Sequence, residues 1–248
     1  MQNQWVEGVV VDKRRWKDNL YSLAIEAPMG NFEAGQFTQL ALDIEGQRVA
    51  RPYSLVNPPH QQPLEVYLNV VSDGPLSNRL CELQPGDRLW VAAQAKGLFT
   101  LRDLPPSRDL WLLATGTALG VYLSILRTST PWERFQNIVL VHGVRYADEL
   151  TYLEELAALS LSYPQRFRLL TTISRQHVAG HLYGRITDLL EQGKLERIAG
   201  LELSPRDSHI MLCGNMDMIR DATALLQARG LQRHRVKEPG HFTTEKYH

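Results

Sequence analysis

Cysteine is nearly absent: the 248-residue chain has two, Cys81 and Cys213. A plant-type two-iron cluster takes four thiolates, so the chain cannot hold one by itself, and neither a Cys-x-x-Cys pair nor a His/Cys set at zinc spacing occurs. Charge of one sign is also lacking. The 27 Lys and Arg balance 27 Asp and Glu, which removes any global attraction to nucleic acid or an anionic membrane and leaves an acidic partner to a local patch. No apolar stretch reaches membrane-spanning length. The opening Met1-Gln2-Asn3-Gln4-Trp5 leads into a strand-like run and not into the apolar core of a signal peptide, which predicts a cytoplasmic protein. Internal repeats and low-complexity tracts are missing. So is any Ser/His/Asp set or carboxylate pair: Asp12 and Asp18 have no motif around them, and His142 falls inside an apolar run.

What remains is globular, with 44% hydrophobic and 22% charged residues over a length that suits two domains. The first hundred residues alternate with period two, at 6–11, 20–27, 37–44 and 64–70, punctuated by Gly35 and by Pro85-Gly86-Asp87 ahead of Arg88. Such short strands and turns predict an antiparallel β-barrel, with one short helix over residues 77–83. Past the linker Leu104-Pro105-Pro106-Ser107 the pattern changes. Continuous apolar runs at 111–114, 138–141, 167–173 and 210–213 alternate with helical spacing at 119–127, 150–161 and 216–229. This is the pattern of an α/β doubly wound parallel sheet that binds a nucleotide. The reading gives a barrel domain over 1–103 and an α/β domain over 104–248.

Two motifs in the first domain pair as a flavin clamp. Arg51-Pro52-Tyr53-Ser54 offers a guanidinium, an aromatic face and a hydroxyl, while Gly74-Pro75-Leu76-Ser77 offers close backbone approach and a hydroxyl at a helix start, which suits a pyrophosphate. In the second domain, Ala114-Thr115-Gly116-Thr117-Ala118-Leu119-Gly120 and Cys213-Gly214-Asn215 end apolar strands where open α/β sheets bind ligands. The first lacks the full Gly-x-Gly-x-x-Gly and alone reads equally well as an ordinary strand-to-helix turn. Buried cysteine is usually a small hydrophobe, the bland account of Cys213. Ser174-Arg175 and Arg185, with Arg145, place guanidinium groups near strand ends, where they match phosphate oxygens bidentately. Their bland account is surface arginine; as ligands they favour NADP over NAD, since no acidic residue follows at the spacing that selects NAD. Lys13-Arg14-Arg15-Trp16-Lys17 reads first as a solvated turn and second as a docking patch for an acidic electron carrier.

In order and spacing these motifs, with an aromatic C-terminal end, resemble the ferredoxin-NADP+ reductase family, and in particular its bacterial ferredoxin/flavodoxin members, over nearly the whole chain. The resemblance implies a barrel holding FAD and a parallel sheet holding NADP(H). It implies that Arg51 binds the FAD phosphate, Tyr53 stacks on the isoalloxazine with Pro52 beside it, Ser54 bonds near the flavin edge, and Tyr67 supports the cofactor. Gly74, Pro75, Leu76 and Ser77 hold the pyrophosphate and Thr117 closes over the flavin. Arg145, Ser174, Arg175 and Arg185 grip the NADP phosphates, Cys213 and Gly214 flank the nicotinamide, and Tyr247 with His248 covers the flavin. Tyr53, Ser54, Cys213 and Tyr247 are the residues nearest the chemistry. Three departures stand out: Val121 where many members have proline, Asn57 where plant-type members have a catalytic serine, and a final His248 where relatives end in Trp or Tyr. The implied protein is a monomer that exchanges electrons with ferredoxin or flavodoxin. Two other functions fit the same residues: an NADPH-dependent flavin or oxygenase reductase, and a non-catalytic nucleotide-binding redox sensor.

Overall fold

A computed structural model describes residues 4–247. The chain separates into two compact units, one running through Thr100 and taking in Gly120–Thr128, the other comprising Leu101–Leu119 and the residues from Ser129 on.

The first unit contains β1 (Trp5–Lys17), β2 (Leu20–Glu26), β3 (Phe37–Ile44), β4 (Gln47–Ser54), β5 (Leu64–Asn69), α1 (Pro75–Leu80) and β6 (Arg88–Ala92). Their order is β4-β3-β6-β1-β2-β5, with every pair antiparallel. An isolated bridge between Leu55, just past β4, and Val66 in β5 brings the two edges together and curls the sheet into a barrel. Val10, Leu23, Ile25, Leu40, Val66 and Val91 fill its interior. The basic cluster is strand and not turn, because β1 continues to Lys17. Trp16 Nε1 donates to Ser22 Oγ at 2.8 Å, Lys13 Nζ to the Cys81 carbonyl at 2.5 Å, and the Arg14 guanidinium lies 3.5 Å over the Trp16 ring. These contacts let a charged run stay paired with β2.

The second unit begins with β7 (Asp109–Thr115), followed by α2 (Leu119–Leu126), most of which belongs to the first unit. There, Ser124 Oγ donates to the Asn57 carbonyl at 2.8 Å, and Arg127 Nη1 reaches the Val56 carbonyl at 2.9 Å and Glu65 Oε2 at 2.6 Å. The Asn57 side chain in turn accepts from Glu65 N at 2.8 Å, so asparagine at this position is fixed to structure. Next come α3 (Thr130–Arg134), β8 (Asn137–Val144), α4 (Leu153–Ser162), β9 (Phe167–Ile173), β10 (Leu182–Tyr183), α5 (Ile186–Glu191), α6 (Lys194–Ala199), β11 (Ser208–Gly214), α7 (Met216–Ala228) and β12 (Phe242–Lys246). The sheet order is β10-β9-β8-β7-β11-β12, entirely parallel. The central strands are buried on both faces, as their unbroken apolar runs demand. Helix α4 starts later than its spacing predicts: a 3₁₀ turn over Ala147–Glu149 and a left-handed Tyr152, φ 55°, come first. Strands β10 and β12 are additional to the four expected, and β12 docks the end of the chain beside β11.

Candidate functional site

The two candidate arms of a flavin clamp lie in the first unit. Pro52 has no N–H to give and sits on edge strand β4, where its loss is tolerated. Arg51 and Tyr53 are two residues apart in that strand and so share a face. Arg51 is exposed, whereas burial pushes the Tyr53 phenol up to about 12 against the pull of Arg51. The ring is therefore a neutral apolar face beside a cation. Ser54 is half-buried at the strand's end, and Tyr67 is buried in β5.

The second arm is tighter than its sequence suggests. Gly74 precedes α1 with an ordinary φ of −81°, so its requirement is room and not a left-handed backbone. A Cβ there would come within 2.6 Å of Ser77 Oγ. Ser77 Oγ accepts from Val71 N at 3.1 Å, and Asn78 Nδ2 donates to the Gly74 carbonyl at 2.9 Å, which braces the turn. Helix α1 spans Pro75–Leu80, shorter and earlier than the 77–83 expected, and its first N–H groups have no intrahelical acceptor. A cradle with no room for a side chain, backbone N–H groups at a helix start and a hydroxyl able to donate its proton fits a pyrophosphate.

In the second unit the strands diverge in connection on either side of β7, toward β8 in one direction and β11 in the other, which is a topological switch point. Two turns meet at its carboxyl end. Asn215 N donates to Thr115 Oγ1 at 2.8 Å, and Gly214 has a φ of 129° with the space for a Cβ taken by Thr115. Only glycine meets both conditions. Thr117, half-buried, lies in the 3₁₀ turn Gly116–Ala118 that follows. Asn215 caps α7 by accepting from Asp217 N and Met218 N.

The phosphate candidates assemble at the outer part of this edge. Ser174 N donates to the Val144 carbonyl and Arg175 N to the Arg145 carbonyl, both at 3.0 Å, which sets the two arginines side by side. Gly184 N donates to the Ile173 carbonyl at 3.0 Å and so brings Arg185, the next residue, to the same end. All three arginines are exposed. Arg145 meets Glu149 at 3.9 Å, while Arg175 and Arg185 have no ion pair among the described residues. Two unpaired guanidinium groups fit a phosphate. Beside them His177 and Tyr183 stack at 3.6 Å, an aromatic face the sequence did not single out.

Cys213 is fully buried, and desolvation pushes its thiol well above its ordinary value, with Glu245 adding to the effect and Tyr247 opposing it. It is a neutral small side chain, not a thiolate. Tyr247 N donates to the Gly214 carbonyl at 3.0 Å, so the tail is held on this same turn. His248 lies outside the described residues. Glu245 is the residue that sequence reasoning missed. It pairs in register with Cys213, one carboxyl oxygen is buried without a partner, and burial raises its pKa to about 7. Its signal was the apolar Phe242 ahead of it and the period of a strand, which a glutamate three residues from the end of the chain obscured.

Because the Glu245 carboxyl is raised above its unfolded value of 4.5, the folded state holds the extra proton between pH 4.5 and 7, and stability falls as pH rises through that window. Glu245→Gln removes this penalty. Urea unfolding of the holoenzyme should show the variant more stable than the parent at pH 8 by roughly 3 kcal/mol, at 1.36 kcal/mol per pKa unit, with the gap closing by pH 4. An equal gap at both pH values contradicts a buried, proton-holding carboxyl.

An antiparallel barrel followed by a parallel sheet with a topological switch point is the fold of a two-domain oxidoreductase that binds a flavin and a nicotinamide nucleotide. Residues 11–98 match the family model described as Oxidoreductase FAD-binding domain, and residues 112–224 match Oxidoreductase NAD-binding domain. The chain is 48% identical over 244 residues to a flavodoxin/ferredoxin–NADP reductase of Escherichia coli K12, covering 98% of each, and 33% identical over 256 residues to a ferredoxin–NADP reductase of Azotobacter vinelandii, covering 99% of this chain and 98% of that one. A crystal structure of a ferredoxin NADP+ reductase from Neisseria gonorrhoeae with bound FAD and NADP is similar at a TM-score of 0.94 and 30% identity over 99% of each chain. The chain belongs to the flavodoxin/ferredoxin–NADP reductase family. No helix among the described residues is long and apolar enough to cross a membrane.

Proposed function

We propose that this chain, a cytoplasmic monomer, moves electrons between NADP(H) and ferredoxin or flavodoxin. FAD, when bound, would supply the chemistry, namely hydride exchange with nicotinamide and transfer of electrons singly. The observation that carries the reading is the convergence of unpaired Arg175 and Arg185 with Arg145 at one sheet edge, in a chain that also has the Gly74–Ser77 cradle. Arg51, Pro52, Tyr53, Ser54 and Tyr67 hold the FAD in a domain over 1–103, and Gly74, Pro75, Leu76 and Ser77 hold its pyrophosphate. In a domain over 104–248, Arg145, Ser174, Arg175 and Arg185 bind the NADP phosphates, Thr117 borders the cofactors, and Cys213 with Gly214 seats the nicotinamide. Tyr53 and Ser54 are the residues nearest the chemistry in the first domain and Cys213 and Tyr247 in the second, and Tyr247 with His248 forms a removable cover. No general acid is needed for a hydride, so the protein's part is alignment and exclusion of water. Two cysteines cannot make an iron–sulfur relay, which leaves the one-electron acceptor on another molecule.

Steady-state oxidation of NADPH with flavodoxin, ferredoxin and free riboflavin as separate acceptors tests this. The protein carriers should give kcat/KM at least about tenfold above riboflavin, a difference of about 1.4 kcal/mol in transition-state binding. Riboflavin as the best acceptor would replace the proposal with a flavin reductase, and no oxidation of NADPH with any acceptor would replace it with a redox sensor.

A further inference from the structure

The turn from β7 to α2 is held from both neighbouring strands, and one of the two holds is made by a residue with no assigned role. His142 is fully buried in β8, in register with Ala114 of β7. Its Nε2 lies 3.1 Å from the carbonyl oxygen of Gly116. The carbonyl can only accept, so Nε2 carries the proton and Nδ1 is the bare acceptor. That Nδ1 is buried without a partner. Burial lowers the pKa of His142 to about 4, so the ring stays neutral in this tautomer near pH 7. An orphaned nitrogen in the middle of an apolar sheet is unfavourable, and leucine would fill much of the space without one. Folding alone therefore gives no reason for histidine here. The bond to Gly116 does. Gly116 has a left-handed φ of 55°, and its carbonyl is the point at which β8 fixes the turn, as Asn215 fixes it at Thr115 Oγ1.

We propose that His142 is a positioning residue for the nicotinamide nucleotide, its Nε2–H anchoring the Gly116 carbonyl so that the 115–118 backbone is preset for the dinucleotide. The inference rests on the NADP(H) reading above and adds to it a residue that touches neither cofactor nor substrate. Stability given up at an orphaned polar atom is returned as order in a binding turn.

The test uses two variants of the FAD-loaded protein. His142→Leu removes the donor and the orphan together; His142→Gln keeps an N–H where Nε2 stands. NADP+ titration followed by difference absorbance should show Kd raised five- to tenfold in the leucine variant and within twofold of the parent in the glutamine variant. The leucine variant should melt at the same temperature as the parent or above it, with its loss falling on KM for NADPH more than on kcat. Affinity within twofold of the parent in the leucine variant overturns the proposal. So do equal losses in both variants, or a leucine variant that melts lower or fails to fold, since each marks a packing role. Failure of the parent itself to bind NADP+ would strike the functional reading instead.

Discussion

Arg175→Ala should lower kcat/KM for NADPH by about 100-fold while that for NADH changes less than about threefold. Arg175 is exposed, has no carboxylate partner among the described residues, and is fixed by its backbone bond to Arg145 in a cluster with Arg185. A guanidinium offers a phosphate two parallel N–H donors and full charge at any working pH, worth about 1.5–3 kcal/mol to a charged acceptor. NADH has no 2′-phosphate to receive that contact, so the loss should be specific to NADPH. Arg175→Lys should recover only part of it, because an ammonium gives charge without the fork. Steady-state kinetics with both nucleotides measures the ratio. Equal losses would assign Arg175 to the pyrophosphate or to no phosphate at all.

Removal of Tyr247 and His248 should tighten NADP+ binding at least about tenfold, equivalent to about 1.4 kcal/mol. Tyr247 is bonded through its N–H to the Gly214 carbonyl and its side chain influences the Cys213 thiol, so it occupies the turn at which the nicotinamide is proposed to sit. A ligand that must displace a resident group binds with its intrinsic affinity reduced by the fraction of open site. Deleting the two residues leaves β12 intact through Lys246 and removes that competition. With the tail acting as the proposed cover, its loss should also shift the flavin absorbance of the truncated holoenzyme. Unchanged Kd and unchanged spectrum would show that the tail does not guard the site.

Both predictions use residues that the sequence exposed, and the reasons differ. Ser174-Arg175 was readable because a long apolar run ends there, so a strand end was certain and ligands bind beyond strand ends. The Gly74–Ser77 turn was readable as a motif, but the cause of its glycine was not: the backbone is ordinary, and the requirement comes from Ser77 Oγ and Val71 crowding the missing Cβ. Glu245 and His142 stayed hidden for a common reason. Each matters through its neighbour on an adjacent parallel strand, Cys213 in one case and the turn after Ala114 in the other, and parallel register is set by tertiary packing across long connections. The basic cluster at residues 13–17 misled for the opposite reason. Charge suggested a turn, whereas Trp16 bonding to Ser22 and Arg14 stacking on Trp16 keep it in a strand. Likewise α2 follows a strand of the second unit in sequence yet joins the first through Ser124 and Arg127, contacts that no local pattern announces.

Conversion between a two-electron and a one-electron carrier fixes the stoichiometry of the reaction. The purified yellow protein, its released cofactor identified as FAD, is mixed without oxygen with a limiting amount of NADPH and an excess of oxidised flavodoxin. Two singly reduced flavodoxins should form for each NADPH consumed; one doubly reduced flavodoxin per NADPH, or flavodoxin left oxidised while NADPH is spent, would rule the conversion out.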